Sequence, residues 1–252
     1  MGLKMIIERD LIVLLKKYHI EEKYISKIIK NKQIYTRRNI IDVEEILKVL
    51  EIHSYIDLVY RCPAILASGK AKEIAGIIKV LRDRDLLYLL NSCPSILARG
   101  KVKEIIDIIE VLEAQNLLYL LNSCPSILAR SKAKEITDIV KILKDRNLLY
   151  LLNSCPSILA KGQAEEIINI VKVLKDRNLL HLLNSCSYIL ASGKAKEITD
   201  IIETLEKNNL LHVLKLCPTI LALGKAKEII DIVKILKDRN LLHLLNSCSY
   251  IL

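Results

Sequence analysis

The chain has no phenylalanine and no tryptophan among its 252 residues. Apolar residues still make up 52% of the sequence, so a large core is expected, built from Leu, Ile, Val and Ala. No apolar run reaches the roughly 18 residues that a membrane-spanning helix requires. The run LIVLL at 11–15 is too short for a secretory signal, and acidic residues precede it. We therefore expect an intracellular, reducing compartment and no membrane association.

Signatures of catalysis and metal binding are also missing. The sequence has no Gly-rich phosphate loop, no HExxH motif and no carboxylate pair outside the repeated letters. Its cysteines include no closely spaced C-x₂-C pair of the kind that zinc sites use. We accordingly expect no enzymatic activity, no catalytic residue, no metal and no cofactor. What the chain does have is a net charge of +10, which favours an anionic partner.

The cysteines and prolines show that the chain is a series of repeats. Each cysteine lies 31 residues after the one before it, and every proline directly follows a cysteine; Ser187 and Ser249 take the proline position in the other two repeats. A fixed period of this length indicates helical units that bury their apolar faces only by stacking. The residues are Cys62, Cys93, Cys124, Cys155, Cys186, Cys217 and Cys248, with Pro63, Pro94, Pro125, Pro156 and Pro218.

One unit contains three helical segments. KAKEITDIVKILKDRN at 132–147 carries apolar residues at 136, 139, 140 and 143, which is one face of an amphipathic helix that Asn147 is expected to end. LLYLLNSC then predicts a short second helix whose leucines face inward. CPSILA predicts a third short helix or a 3₁₀ turn, because proline does not fit a helix interior. The predicted fold is an all-α solenoid of 31-residue helical repeats that forms a superhelix.

The repeats fill residues 41–252, and we expect the last one to be incomplete, as in a fragment of a longer array. Residues 1–40 are predicted to be degenerate capping repeats, with one further unit over 10–35 and KQIYTRRN at 32–39 in the place of PSILARGK. Equivalent residues on stacked helices lie about 8–10 Å apart. A disulfide needs Cα atoms within about 7 Å, so the cysteines are expected to be small, buried and reduced.

Two positions vary or carry charge in a way that suggests a binding surface. The residue after ILA is expected in a loop tip before the first helix, where one copy per repeat would form a ladder. The following lysines stand in the first turn of that helix, where the helix dipole disfavours cations. Free N–H groups and lysines at such helix starts suit phosphates. The predicted nucleic-acid-binding residues are Arg37, Arg38, Ser68, Lys70, Lys72, Arg99, Lys101, Lys103, Arg130, Lys132, Lys134, Lys161, Ser192, Lys194, Lys196, Leu223, Lys225 and Lys227.

The same features have plainer interpretations. The lysines can simply make an exposed edge soluble, balanced by the glutamates that follow them, and one repeat has Gln163 and Glu165 in their place. A second ladder, in which tyrosine and histidine alternate, is expected to point outward. Its side chains are suited either to stacking on bases or to covering the groove between repeats. Its members are Tyr88, Tyr119, Tyr150, His181, His212 and His243.

The stretch LLNSCPSILARSKAKEITDIVKILKDRNL at 120–148 resembles the repeat of the mitochondrial transcription termination factor (mTERF) family, with its "cP-x-iL" signature and Leu-rich helix. That resemblance implies a solenoid of helical triplets that binds double-stranded DNA, or RNA in some members, through a basic concave face. ILASGKAKEI at 65–74 is also similar to TAL-effector-like DNA-binding repeats, in which a loop residue contacts one base. Arginine at that place suits guanine or a phosphate, whereas Leu223 suits neither.

Two functions follow from these patterns. The first is nucleic-acid binding, to DNA rather than RNA, by loop tips and first-turn lysines on one face, with or without one repeat per base. The alternative is a scaffold that holds a protein partner, since solenoids commonly hold peptides or helices on a concave surface.

Overall fold

The computed structural model describes residues 8–223 and 225–246, and it divides into two compact units whose boundary falls between Ala133 and Lys134. Every regular element in these described ranges is helical. Three helices recur every 31 residues in the same order, so the prediction of an all-α fold of stacked helical repeats is confirmed.

The first helix of each repeat has 13 residues and is therefore about 20 Å long. In α13 the predicted apolar face is buried, with Ile136, Ile139, Val140 and Leu143 almost inaccessible to solvent. These first helices are Ile40–Ile52 (α4), Ala71–Asp83 (α7), Val102–Ala114 (α10), Ala133–Asp145 (α13), Ala164–Asp176 (α16), Ala195–Lys207 (α19) and Ala226–Asp238 (α21).

The second helix is one turn long. Its two leucines, Leu151 and Leu152 in the fourth copy, are buried together with Leu148, as the sequence predicts. The second helices are Leu58–Arg61 (α5), Leu89–Ser92 (α8), Leu120–Ser123 (α11), Leu151–Ser154 (α14), Leu182–Ser185 (α17), Val213–Leu216 (α20) and a 3₁₀ helix, Leu242–Asn246.

The third helix follows the cysteine, and both predicted forms occur, five α-helical copies and one 3₁₀ copy. Pro63, Pro94 and Pro156 each stand directly before the helix. At this position a backbone N–H would have no partner within the helix, so its absence in proline costs no hydrogen bond. The third helices are Ala64–Ser68 (α6), Ser95–Arg99 (α9), Ile127–Arg130 (α12), Ser157–Lys161 (α15), Ile189–Ser192 (α18) and the 3₁₀ helix Pro218–Ala222.

The N-terminal helices follow the same order. Glu8–Lys17 (α1) packs on α4, Glu22–Ile29 (α2) on α5, and Lys32–Arg37 (α3) on α6. Their role as a cap stays a prediction. The predicted incomplete last repeat extends over residues 247–252, which lie outside the described residues, as does Cys248.

Like helices pack on like helices within each unit. In the first unit α4, α7 and α10 pack in sequence, and so do α6, α9 and α12. In the second unit α16, α19 and α21 pack in sequence, while α18 contacts α15 on one side and the 3₁₀ helix Pro218–Ala222 on the other. Equivalent ends of successive helices therefore lie side by side.

Each first helix ends at a residue with positive φ. Asn147 has a φ of 56°, its N–H donates to the Lys144 carbonyl at 3.1 Å, and the Leu148 N–H donates to the Leu143 carbonyl at 2.7 Å. This is the Schellman arrangement, and asparagine tolerates its left-handed conformation better than other side chains do. The prediction that Asn147 ends the helix is confirmed. The equivalent residues are Ser54, Asp85, Asn116, Asn178, Asn209 and Asn240.

At the start of four first helices, α10, α13, α16 and α19, a glutamate joins one repeat to the next. The Glu73 carboxylate accepts a hydrogen bond from the Val102 N–H at 2.8 Å, and Glu166 accepts one from the Ala195 N–H at 2.7 Å. Each donor is the first residue of a first helix, whose N–H groups have no partner within the helix. The same bond links Glu104 to Ala133 within the first unit and Glu135 to Ala164 within the second.

Within the described ranges, no glutamate link is found at the start of α21. Among the described residues Glu197 Oε2 is buried and has no hydrogen-bond partner. Lys225, which precedes α21, has a ψ of 43°, whereas Lys101 and Lys194 have ψ values of 135° and 126° in the same place. The backbone before α21 therefore departs from the conformation seen where the link forms.

Asn147 offers a test of the helix ending. Asn147→Gly is expected to leave the free energy of unfolding nearly unchanged. Asn147→Val is expected to lower it by about 1–2 kcal/mol, because a β-branched residue is strained at positive φ. Urea unfolding followed by far-UV circular dichroism measures both variants, and equal stability of the two would contradict the assignment.

The glutamate link offers a second test. Glu73→Ala is expected to lower the free energy of unfolding by about 1 kcal/mol, as loss of a helix N-cap does. Glu228→Ala is the matched control. Glu228 stands at the same repeat position, but among the described residues it pairs with Lys225 of its own helix start, and exposed ion pairs contribute little. Equal losses in urea unfolding of the two variants would show that the link does not join repeats.

Candidate nucleic-acid interface

The variable residue lies at the end of the third helix, and the expectation of a loop tip is wrong. Arg99 is the last residue of α9, and Arg130 and Lys161 end α12 and α15. The side chain is exposed in Ser68, Arg99, Arg130, Lys161 and Leu223. A helix end fixes the direction of this side chain more firmly than a loop would, since neighbouring third helices pack against one another.

The lysines lie where the sequence predicts, in the first turn of the first helix. Lys101 directly precedes α10, and Lys103 is its second residue. All ten lysines at these two positions are exposed: Lys70, Lys72, Lys101, Lys103, Lys132, Lys134, Lys194, Lys196, Lys225 and Lys227. Two of them form ion pairs with the glutamate of their own turn, Lys194–Glu197 at 3.5 Å and Lys225–Glu228 at 2.9 Å.

At α10, α13, α16 and α19 the first N–H group is not free, contrary to expectation. Val102, Ala133, Ala164 and Ala195 each donate that hydrogen bond to the glutamate of the preceding repeat. A protein carboxylate therefore already takes the place at the helix start that was predicted for a phosphate. What remains for an external anion is the set of exposed side chains around each of these starts.

Cations of successive repeats meet at one hollow in the first unit. Ser68, Lys70, Arg99 and Lys101 line a depression of about 140 Å³ together with Glu73. The Glu73 carboxylate is bonded to the Val102 N–H within the protein. The end of one third helix and the starts of two first helices thus present three cations to the same space.

We call these exposed cations the cationic edge of each unit. In the first unit it comprises Lys70, Lys72, Arg99, Lys101, Lys103, Arg130 and Lys132; in the second it comprises Lys134, Lys161, Lys194, Lys196, Lys225 and Lys227.

The other predicted residues contact the protein itself or differ in chemistry. Arg38 donates from Nε to the Ala67 carbonyl at 3.1 Å and from Nη2 to the Gly69 carbonyl. Ser192 Oγ donates to the Ala222 carbonyl at 3.1 Å. Leu223 is exposed but apolar. The side chain of Arg37 lies outside the described part of the structure.

Lys161 in the second unit lies over an aromatic ring. Its Nζ is 5.4 Å from the centre of the Tyr188 ring, which is a cation–π contact. Tyr188 stands directly before α18 and belongs to the next repeat. This contact fixes the cation at the end of α15 while leaving it exposed.

The opposite ends of the first helices carry contacts that the sequence analysis missed. Arg84 Nη1 donates to both carboxylate oxygens of Glu113 at 2.9 Å, and Arg177 Nη1 donates to Glu206 at 2.8 Å. Arg146 has a lysine, not a glutamate, at the same spacing. Opposite charges 29 residues apart are the signal that reveals these links in the sequence.

The tyrosine ladder lies at this opposite end and is exposed, as predicted. Tyr88 Oη donates to Asn122 Oδ1 of the next repeat, and Tyr150 Oη donates to Asn184 Oδ1. These tyrosines therefore bridge neighbouring repeats, which agrees with the interpretation that they cover the groove between them.

The cysteines have the character of core residues. The six that the structure describes are free thiols, half-buried or buried. Burial raises the pKa of Cys62 and of Cys186, which keeps both thiols protonated and weakly reactive. Over the described ranges, no three Cys, His, Asp or Glu side chains come together as metal ligands would. None of the helices in those ranges has the length and apolar character that crossing a bilayer demands.

Comparison with known proteins identifies the family. A family model described as mTERF matches residues 47–243, which include both cationic edges. No curated protein and no solved structure matches the chain. The family is non-catalytic, and its members generally bind nucleic acid. Of the two resemblances found in the sequence, the first is confirmed: the chain belongs to the mTERF family.

Proposed function

We propose that this protein binds double-stranded DNA through the cationic edges of its two units. The lysines and the cations that end the third helices contact the phosphate backbone. Three facts support the proposal: the family generally binds nucleic acid, the chain carries a net charge of +10, and these cations are exposed. Duplex DNA presents about one negative charge per 1.7 Å of its axis, so exposed cations along an edge find phosphates in any register.

The observation that carries the proposal is the hollow of the first unit, where Lys70, Arg99 and Lys101 share one space. A phosphate placed there meets cations from two repeats at once. The neighbouring carboxylate, Glu73, is bonded to the Val102 N–H and so has one oxygen already satisfied. The site therefore keeps a positive balance although a glutamate belongs to it.

The side chains at the third-helix end favour phosphate contact over base recognition. This position carries Arg99, Arg130 and Lys161 in three consecutive repeats, so the charge is kept while the hydrogen-bonding pattern changes. Base discrimination in the major groove depends on a particular donor pattern, whereas a phosphate accepts from either residue. We therefore propose sequence-tolerant binding.

The cationic edge is tested by neutralising it in the first unit. The variant K70Q/K72Q/K101Q/K103Q is expected to bind duplex DNA more weakly, with the largest loss of affinity at low salt. Its plot of log affinity against log salt is expected to be shallower by about 0.9 per lost phosphate contact. Fluorescence anisotropy with random duplexes, against double-stranded RNA and single strands as competitors, measures both quantities and tests the choice of DNA.

The control for that variant removes four exposed lysines from the opposite ends of α13 and α16, as K141Q/K144Q/K172Q/K175Q. It has the same net charge and is expected to keep the slope of the parent protein. Equal losses of affinity in both variants would show that the effect comes from the overall charge and not from the cationic edge. Binding that does not respond to salt at all would favour the protein-scaffold alternative.

Arg99→Ser separates phosphate contact from base recognition. We expect the affinity to fall by a similar factor for all duplex sequences, about tenfold at most, because one charge-assisted hydrogen bond is lost. Selection from a random duplex library, compared between parent and variant, measures the preference. A changed preferred sequence in the variant would contradict sequence-tolerant binding.

A further inference from the structure

We propose that a hollow in the second unit, lined by His181, His212 and Lys215, binds a phosphate group. The hollow has a volume of about 370 Å³, and Arg177, Asn178 and two leucines complete its wall. None of the described residues that line this wall carries a carboxylate. The space is well above the roughly 30 Å³ that one water molecule occupies in the liquid, so a hydrated phosphate fits.

This hollow is separate from the cationic edge. It lies where α16 ends and the short helices α17 and α20 follow, so it belongs to the C-terminal ends of the first helices. The lysines of the cationic edge stand at the N-terminal ends of the same helices, about 20 Å away along a 13-residue helix. The inference is therefore independent of the proposed DNA-binding surface.

The first unit contains an equivalent place between repeats, and comparing the residues of the two places shows which ones are particular to the hollow. Arg84 pairs with Glu113 and Glu110, just as Arg177 pairs with Glu206 and Glu203. The other positions differ. Asp85, Tyr88, Tyr119 and Asn122 stand where the second unit has Asn178, His181, His212 and Lys215.

In the counterpart a hydrogen bond closes the space between repeats, because Tyr88 Oη donates to Asn122 Oδ1. The second unit has the same bond one interface earlier, between Tyr150 and Asn184. At the hollow, His181 and Lys215 replace both members of that pair. The tyrosine–asparagine hydrogen bond that links other repeats therefore cannot form at this interface. The nitrogen groups of His181 and Lys215 take its place.

The replacements change the electrostatics in one direction. Asn178 in place of Asp85 removes a negative charge, and Lys215 in place of Asn122 adds a positive one. The Arg177 charge is shared with Glu206 at 2.8 Å and Glu203 at 3.6 Å, so Lys215 is the main cation facing the space. The Lys215 ammonium group and the His181 imidazole are donors to phosphate oxygens, and the Asn178 amide adds another.

The test uses the imidazole signals of the intact protein in NMR during titration with inorganic phosphate. We expect the His181 and His212 signals to shift and saturate, while His19 and His53 do not respond. Sodium chloride of equal ionic strength is the control for a general salt effect. Equal responses to chloride, equal responses of His19 and His53 to phosphate, or no response at all would overturn the proposal.

Variants test whether the phosphate binds at the hollow. H181Y/K215N restores the tyrosine–asparagine pair that the array already uses, so the fold is expected to persist, with His212 as the remaining reporter. Phosphate binding is expected to weaken about tenfold or more, as loss of a charge-assisted contact implies. K141Q removes the same charge from α13, at an exposed lysine outside both the hollow and the cationic edge, and is expected to leave binding unchanged. Unchanged binding in H181Y/K215N would place the phosphate elsewhere.

A second arm identifies the source of the phosphate group. If the hollow takes a backbone phosphate of nucleic acid, a short duplex shifts the same two signals and K215N lowers duplex affinity. If it takes free phosphate or a small phosphorylated molecule, the duplex leaves both signals unchanged. If neutralising the cationic edge leaves the affinity for duplex DNA unchanged, the proposed function is wrong but this inference is unaffected, because inorganic phosphate tests it without DNA.

Discussion

The hydrogen bond from the first N–H of a long helix to a glutamate of the repeat before it, which forms at α10, α13, α16 and α19, is the directional contact on which this architecture depends. Apolar packing of Leu, Ile and Val stabilises the stack, but the hydrophobic effect is non-directional and fixes no register by itself. The Glu73–Val102 and Glu166–Ala195 bonds join helix starts across neighbouring repeats. They also satisfy N–H groups that the helix itself leaves without a partner.

The glutamate hydrogen bond also determines which charged groups at the helix start are exposed. Each glutamate is turned toward the protein backbone, whereas the lysines before and after the helix start stay exposed. Lysines at a helix start are disfavoured by the helix dipole, by a few tenths of a kcal/mol each. The nearby carboxylate offsets part of that cost. A surface with cations outside and anions bonded inside is suited to a polyanion, and the link that holds the repeats together produces it.

Most of the fold could be predicted from the periodicity of the sequence. The spacing of Cys62 to Cys217, the apolar face of α13 and the turn at Asn147 all predicted what the structure contains. The site was harder to predict, because contacts between repeats join residues about 29–34 apart, as in Glu73–Val102 and Tyr88–Asn122, and no local pattern reports them. Arg38 shows the same limit: the sequence predicts a ligand-binding residue at this cation, and only the structure reveals that it donates to two carbonyls of the next repeat.

The central claim is that stacking in register assembles a cationic edge that holds nucleic acid, and amine-labelling footprinting of the protein tests it most directly. Lysines are labelled in the free protein and in complex with duplex DNA, and the protection of each residue is measured by mass spectrometry. The account predicts protection at Lys70, Lys101 and Lys194, with unchanged labelling at Lys141 and Lys172. Protection of Lys141 and Lys172 with the cationic edges still fully labelled would contradict it.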